Sequence, residues 1–124
     1  MRNINKLTYD IIGCAYKVHK ELGSGLLEST YEICMAYELK IKGYDIITQL
    51  ALPVVYQGMK LEAGYRIDIL VENAVIIELK SVEGIAPIHK AQLLTYLKLS
   101  GKKLGLLINF NVTNLQKGIY RYIN

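Results

Sequence analysis

A chain of 124 residues that is 52% hydrophobic and 21% charged, with a formal net charge of +4 at pH 7, holds enough apolar side chain for one packed core and too few charges for a disordered segment. No apolar run reaches the roughly 18–20 residues that a membrane-crossing helix needs, and the N-terminal segment from Met1 to Lys6 lacks the apolar stretch of a secretory signal. The expectation is one domain over residues 1–124, resident in the cytoplasm. Cys14 and Cys34 are too few for a thiolate zinc site or an iron–sulfur cluster and are expected as free thiols.

A first helix is expected over residues 7–22, where Ile11, Ile12, Ala15, Val18 and Leu22 recur at helical spacing before Gly23-Ser24-Gly25 breaks the pattern. A second helix runs from about Leu27 to Lys42, with Gly43 as its C′ residue. On a helical wheel Leu26, Leu27, Thr30, Ile33, Cys34, Tyr37 and Ile41 form one wide apolar sector. Met35 and Leu39 lie nearly opposite and flank Glu28 and Glu32. That acidic pair at i,i+4 is mildly unfavourable, and no Lys or Arg stands three or four residues from either member. The stripe is either partly exposed with partners elsewhere in the fold, or one or both acids turn toward a functional cluster.

Strands follow at about Ile46–Tyr56, bent or held at an edge by Pro53, and at Lys60–Val71, with Gln57-Gly58 as the turn between them. A third strand covers Val75–Val82. Pro87 opens a helix that closes at Ser100-Gly101. Leu104–Phe110 is a nearly unbroken apolar run, which is the pattern of a strand covered on both faces. The tail, Gly118–Ile123, adds a candidate final strand. The order α-α-β-β-β-α-β describes an α/β sandwich with a central mixed sheet.

Asp68, followed ten residues later by Glu78-Leu79-Lys80, carries the chemistry. Alternation puts Tyr65, Ile67, Ile69 and Val71 on one strand face and Val75, Ile77 and Leu79 on one face of the next. With those faces coincident and Val71 set opposite Val75, Asp68 falls directly across from Glu78, and Asp68, Glu78 and Lys80 share the other face. Opposed Cβ atoms stand roughly 4.5–5.5 Å apart, a spacing suited to two carboxylates gripping one cation. The bland alternative is an amphipathic hairpin with salt-bridged charges on a wet face.

Charge is unevenly divided. Residues 1–83 hold nine Lys/Arg against eleven Asp/Glu, whereas residues 84–124 hold Lys90, Lys98, Lys102, Lys103, Lys117 and Arg121 and no acid. An acid-free basic third is the footprint of either a polyanion-binding surface or a solvated face without a partner. On the helix opened by Pro87, His89, Gln92 and Tyr96 share one side. His19, near Ala15 and Leu22 on the first helix, reads as a core or interface histidine in preference to a metal ligand.

The Asp68/Glu78/Lys80 pattern resembles the PD-(D/E)xK nuclease superfamily, with Ile67 where the motif's proline stands. The spacing Gly25-x-x-Glu28-x-x-Tyr31-Glu32 is similar to the signature of the GxxExxY proteins, which are placed in that superfamily. The blocks His19–Gly25, Tyr65–Asp68, Ile77–Val82, Gln92–Leu97, Gly105–Phe110 and Lys117–Arg121 carry the likeness along nearly the whole chain. Gln92-x-x-x-Tyr96 resembles a motif of the RecB-like branch. The resemblance implies a restriction-endonuclease-like sandwich and a metal-dependent phosphodiesterase acting on nucleic acid, DNA favoured over RNA, with little sequence specificity. It implies Mg²⁺ or Mn²⁺ held by Asp68, Glu78, Glu28 or Glu32, and the Leu79 carbonyl. Lys80 is implied as an electrostatic group in catalysis, and Gln92 and Tyr96 as positioning groups beside the metal site. Lys98, Lys102, Lys103 and Arg121 are candidate contacts to the nucleic-acid backbone. Two other readings fit the same residues: a non-catalytic module that keeps the nuclease fold to bind nucleic acid or a protein, and an interaction subunit whose ten tyrosines serve a homodimer.

Overall fold

A computed structural model describes residues 3–124. Met1 and Arg2, which open the segment read above as lacking a secretory signal, lie outside the described residues. Helix α1 spans Ile4–Leu22; Asn3 caps it, its side chain accepting from the Asn5 and Lys6 amides. Helix α2 spans Glu28–Ile41. Strands β1 (Ile46–Ala51), β2 (Val54–Tyr56), β3 (Met59–Leu61), β4 (Arg66–Val71) and β5 (Val75–Lys80) follow, then helix α3 (Pro87–Ser100), strand β6 (Leu104–Asn109), a 3-10 turn at Leu115–Gly118 and strand β7 (Ile119–Ile123). No described helix is long and apolar enough to cross a membrane.

The main sheet has the order β1-β4-β5-β6-β7 and is mixed, since β5 and β6 run parallel while every other neighbouring pair is antiparallel. A parallel pair needs a crossover, and α3 provides it. Two apolar clusters sandwich the sheet. One packs Leu7, Ile11, Tyr31, Met35 and Leu39 of α1 and α2 on Ile69, Val71, Val75, Ile77, Leu106 and Ile108. The other packs Leu93, Tyr96 and Leu97 of α3 on Ile67, Leu70, Ile76 and Leu107. The expected restriction-endonuclease-like α/β sandwich with a mixed sheet is therefore present. Gly105 lets α3 sit close, because a Cβ there would lie 2.8 Å from Leu93 Cδ1. Both cysteines are free thiols, Cys14 buried and Cys34 partly so.

Three details differ from the sequence reading. The two long strands expected over residues 46–56 and 60–71 are each split, and their inner halves form a separate two-stranded hairpin, β2–β3. Pro53 has no N–H for a ladder, and Gly64 adopts a φ of 82°. Helix α2 is rolled so that Tyr31, Met35, Ala36 and Leu39 are its buried residues. The sector widest in apolar residues faces solvent, with Ile33, Tyr37 and Ile41 each about 60–70% exposed. Tyr31 decides this roll by stacking on Phe110 with ring centroids 4.4 Å apart and donating its hydroxyl to the Gly23 carbonyl at 2.7 Å.

The third difference lies in β4. Ile69 and Val71 pack under α1 and α2, but Ile67 packs under α3 and Tyr65 meets the Tyr96 ring edge-on at 6.3 Å, so the expected common face for Tyr65, Ile67, Ile69 and Val71 does not hold. The faces change over at Asp68. The β1–β4 ladder keeps Thr48↔Ile69 and Leu50↔Ile67 while the Gln49·Asp68 position between them is left unpaired. Gln49 has a φ of 52°, in the left-handed region, and this turn of the edge strand carries both strands through the face change.

Candidate active site

The expected register between β4 and β5 is present: Val71↔Val75, Leu70↔Ile76 and Ile69↔Ile77 are paired, with a turn over Glu72 and Asn73 in which both residues have φ of 54°. Continued by one step, it sets Asp68 against Glu78. The backbone ladder stops there, and the two carboxylates replace it. The Asp68 N–H donates to Glu78 Oε2 at 2.8 Å, and the Leu79 N–H donates to Asp68 Oδ2 at 2.9 Å. Each acid thus satisfies a strand amide that the parting backbones leave open. The N–H and C=O of a strand residue point the same way, so the Leu79 carbonyl faces this gap as well.

Helix α2 brings a third carboxylate. Glu32 Oε1 accepts from Gln49 Nε2 at 2.6 Å, and the same nitrogen reaches Asp68 Oδ1 at 3.3 Å. Gln49 is anchored in turn, its carbonyl accepting from Arg66 Nη1 at 3.1 Å. Glu28, one turn earlier on α2, is exposed, and its charge reaches both Glu32 and Asp68. The roll of α2 that buries Met35 and Leu39 is what turns this acidic stripe toward the sheet.

All three inner carboxyls hold their protons more tightly than usual. Burial, followed by the neighbouring Asp68 charge, pushes Glu78 up to about 8. Burial also raises Asp68, against the opposing pull of the Leu79 amide, the Gln49 amide and Lys80. Glu32 is raised by burial first, with Asp68 and Glu28 adding to it. Lys80, half-buried at the end of β5, biases both Asp68 and Glu78 toward the anion, yet it forms no ion pair among the described residues.

On the other face, the buried Tyr96 lies under the same acids. Its phenol is raised by burial and then by the Glu78 charge, while the Arg66 backbone amide opposes the rise by hydrogen bonding. Gln92 and Tyr96, with Tyr65, Val54, Ile88 and Leu99, line a cavity of about 360 Å³. His89 closes the start of α3, its Nδ1 accepting from the Ala86 amide at 3.0 Å. His19 lies within hydrogen-bond distance of the Val112 carbonyl, 2.8 Å from its Nε2, and stays apart from the acids.

The basic residues are not gathered round the acids. Lys98 lies in the last turn of α3, Lys102 and Lys103 precede β6, and Arg121 on β7 pairs with Leu106. Because Leu104 pairs with Val75 and Asn109 with Lys80, Lys102 and Lys103 stand at the end of the sheet remote from Glu78. The 14 residues of α3 separate the two ends by about 20 Å.

Two residues escaped the sequence reading. Gln49 gave no signal, being one polar side chain in an exposed strand. Asn109 did, as the sole polar residue of the run Leu104–Phe110. Its Oδ1 accepts from the Val82 and Asn111 amides and its Nδ2 donates to the Val82 carbonyl, which pins the chain leaving Lys80 to the end of β6.

Among the described residues no three Asp, Glu, His or Cys side chains stand close enough to hold a metal ion. The donor types nevertheless fit Mg²⁺ or Mn²⁺: carboxylates and a carbonyl are hard oxygen ligands. The Gln49 amide, wedged between Glu32 and Asp68, keeps two of them apart, and the raised pKa values express chiefly the burial of the three carboxyls, with neighbouring acids second, a penalty on their charge that a cation would offset. No curated protein and no solved structure matches the chain. The model of one family, described as the PD-(D/E)XK nuclease superfamily, matches residues 5–122. With nearly its whole length inside that match, the chain belongs to the PD-(D/E)XK nuclease superfamily.

Proposed function

We propose that this protein is a divalent-cation-dependent nuclease that hydrolyses phosphodiester bonds, DNA in preference to RNA, with little sequence specificity. The observation that carries the reading is the convergence of Glu32, Asp68 and Glu78 from one helix and two strands, with Lys80 one position beyond Leu79. Glu32, Asp68, Glu78 and the Leu79 carbonyl are the residues that would hold Mg²⁺ or Mn²⁺. Glu32 is preferred to Glu28 because it shares the Gln49 amide with Asp68. The chemistry such an ion supplies when bound is polarisation of the scissile phosphate and acidification of a water.

The chain's own groups do the rest. Glu78, its carboxyl raised to about 8 by burial, would have to give up its proton to hold a cation, so cation binding would be coupled to proton release and would tighten as pH rises. Lys80, in no ion pair among the described residues, is available to orient the attacking water and to offset charge on the pentacoordinate phosphorus. Gln92 and Tyr96 border the site from α3 as positioning groups. Lys98, Lys102 and Lys103 serve the substrate at a distance: about 20 Å spans about six phosphates of one strand of B-form duplex, so they hold flanking backbone without reading bases, while Arg121, level with Leu106 and Ile77, contacts the backbone two strands from the acids.

The test is thermal melting with and without Mn²⁺ for wild type, Asp68→Ala and Glu78→Ala, followed by cleavage of single- and double-stranded DNA and RNA. A melting rise in wild type that both variants lose, together with cleavage that both abolish, is the expected result. No cation-dependent rise in wild type would refute the reading. Lys80→Ala is expected to keep the melting rise and lose cleavage; unchanged cleavage removes the role given to Lys80.

A further inference from the structure

Gln49 combines three features that a surface strand residue does not need. Its backbone sits at φ 52° and drops out of the β1–β4 ladder although the pairs on both sides are kept. Its carbonyl is held by Arg66. Its Nε2 stands between Glu32 Oε1 and Asp68 Oδ1, at 2.6 and 3.3 Å. An amide presents two donors on nitrogen and an acceptor on oxygen, and only the nitrogen can face two carboxylates. Its N–H groups therefore take the place that positive charge would take between the acids of α2 and β4.

Entry of a dication reverses that preference. The ion repels the N–H groups and attracts the amide oxygen, and the last side-chain torsion of a glutamine is soft and roughly two-fold. A half-turn about it exchanges nitrogen for oxygen without moving the strand. We propose that Gln49 is a two-state ligand of the cation site: its nitrogen clasps Glu32 and Asp68 when the site is free of cation, and its Oε1 turns inward as a neutral oxygen ligand when Mg²⁺ or Mn²⁺ binds. This inference rests on the cation-dependent reading above and adds to it a ligand from the edge strand, outside the Asp68/Glu78/Lys80 motif. The left-handed backbone is what directs a residue of this edge strand into the gap.

The experiment measures Mn²⁺ binding without nucleic acid, from the electron paramagnetic resonance signal of free Mn²⁺, for wild type, Asp68→Ala, Gln49→Ala and Gln49→Glu. Circular dichroism checks the fold of each. Gln49→Ala is expected to bind on the order of tenfold more weakly than wild type, because a ligand is gone. Gln49→Glu is expected to bind at least as tightly as wild type and to melt at lower temperature in EDTA, because a third carboxylate then faces Glu32 and Asp68. In wild type, Mg²⁺ is expected to shift the Gln49 side-chain amide resonances. Equal or tighter binding by Gln49→Ala makes the amide a clasp only and overturns the proposal, as does lost binding in a folded Gln49→Glu. Binding that Asp68→Ala loses and Gln49→Ala keeps sinks Gln49 alone, whereas absent binding in wild type sinks the cation reading and Gln49 with it.

Discussion

Replacing Glu78 by Gln tests the electrostatics of the site directly. Glu78 is 5% exposed, and its carboxyl is lifted from 4.5 to about 8, chiefly by burial and then by Asp68. Between those values the folded protein binds a proton that the unfolded chain releases. Stability from this group is therefore full below pH 4.5 and declines as pH rises to about 8, opposite in sign to a salt-bridged carboxylate. At about 1.4 kcal/mol per pH unit the ceiling is about 5 kcal/mol. Relaxation around the open end of the β4–β5 ladder lowers this to about 2–4 kcal/mol. Glu78→Gln keeps an oxygen to accept from the Asp68 N–H and carries no charge. Urea unfolding in EDTA at pH 5.5, 7 and 8.5 is the assay. Wild type is expected to lose stability across the series, and Glu78→Gln to lose much less and to exceed wild type at pH 8.5. Parallel curves for the two proteins, or wild-type stability that rises with pH, would refute the account.

Gly118→Ala should be severely destabilising, because its Cβ would lie 2.2 Å from the Asn109 carbonyl oxygen; a fall in melting temperature much larger than for Gly13→Ala, where nothing lies within 4 Å, is the check. Tyr31→Phe keeps the stack on Phe110 but leaves the Gly23 carbonyl and the Leu26 amide without their partner, at a cost of about 1–2 kcal/mol in urea unfolding, with faster hydrogen exchange at Leu26. Asn109→Ala removes three hydrogen bonds to Val82 and Asn111 and is expected to lower cleavage more than stability, since it frees the segment that follows Lys80.

The hairpin was legible because its register follows from one rule: apolar Val71 and Val75 must face the same core, and a one-residue slip would turn them out. The face change at Asp68 was not legible, because it depends on Gln49 entering the left-handed region, and no local signal distinguishes that glutamine from its exposed neighbours. Helix α2 misled for a different reason. It is apolar on two sides, so periodicity names two candidate core faces, and the choice is made by Tyr31 meeting Phe110, residues far apart in sequence. Its acidic stripe carried separate information, since carboxylates beside Met35 and Leu39 are led toward the sheet by the core packing, and Glu32 ends on the Gln49 amide beside Asp68. The basic third of the chain shows the limit of counting charges: residues close in sequence to the motif's helix end up at the far end of the sheet because β6 runs parallel to β5.

The acids at 68 and 78 also serve as mortar. Each fills a gap in the strand pairing by accepting from a strand amide, whether or not anything is ever cut. A chain of this fold without hydrolytic activity would still be pressed to keep oxygen-bearing side chains at both positions. Lys80 bears no such duty toward the sheet, so it would be the first of the three to drift.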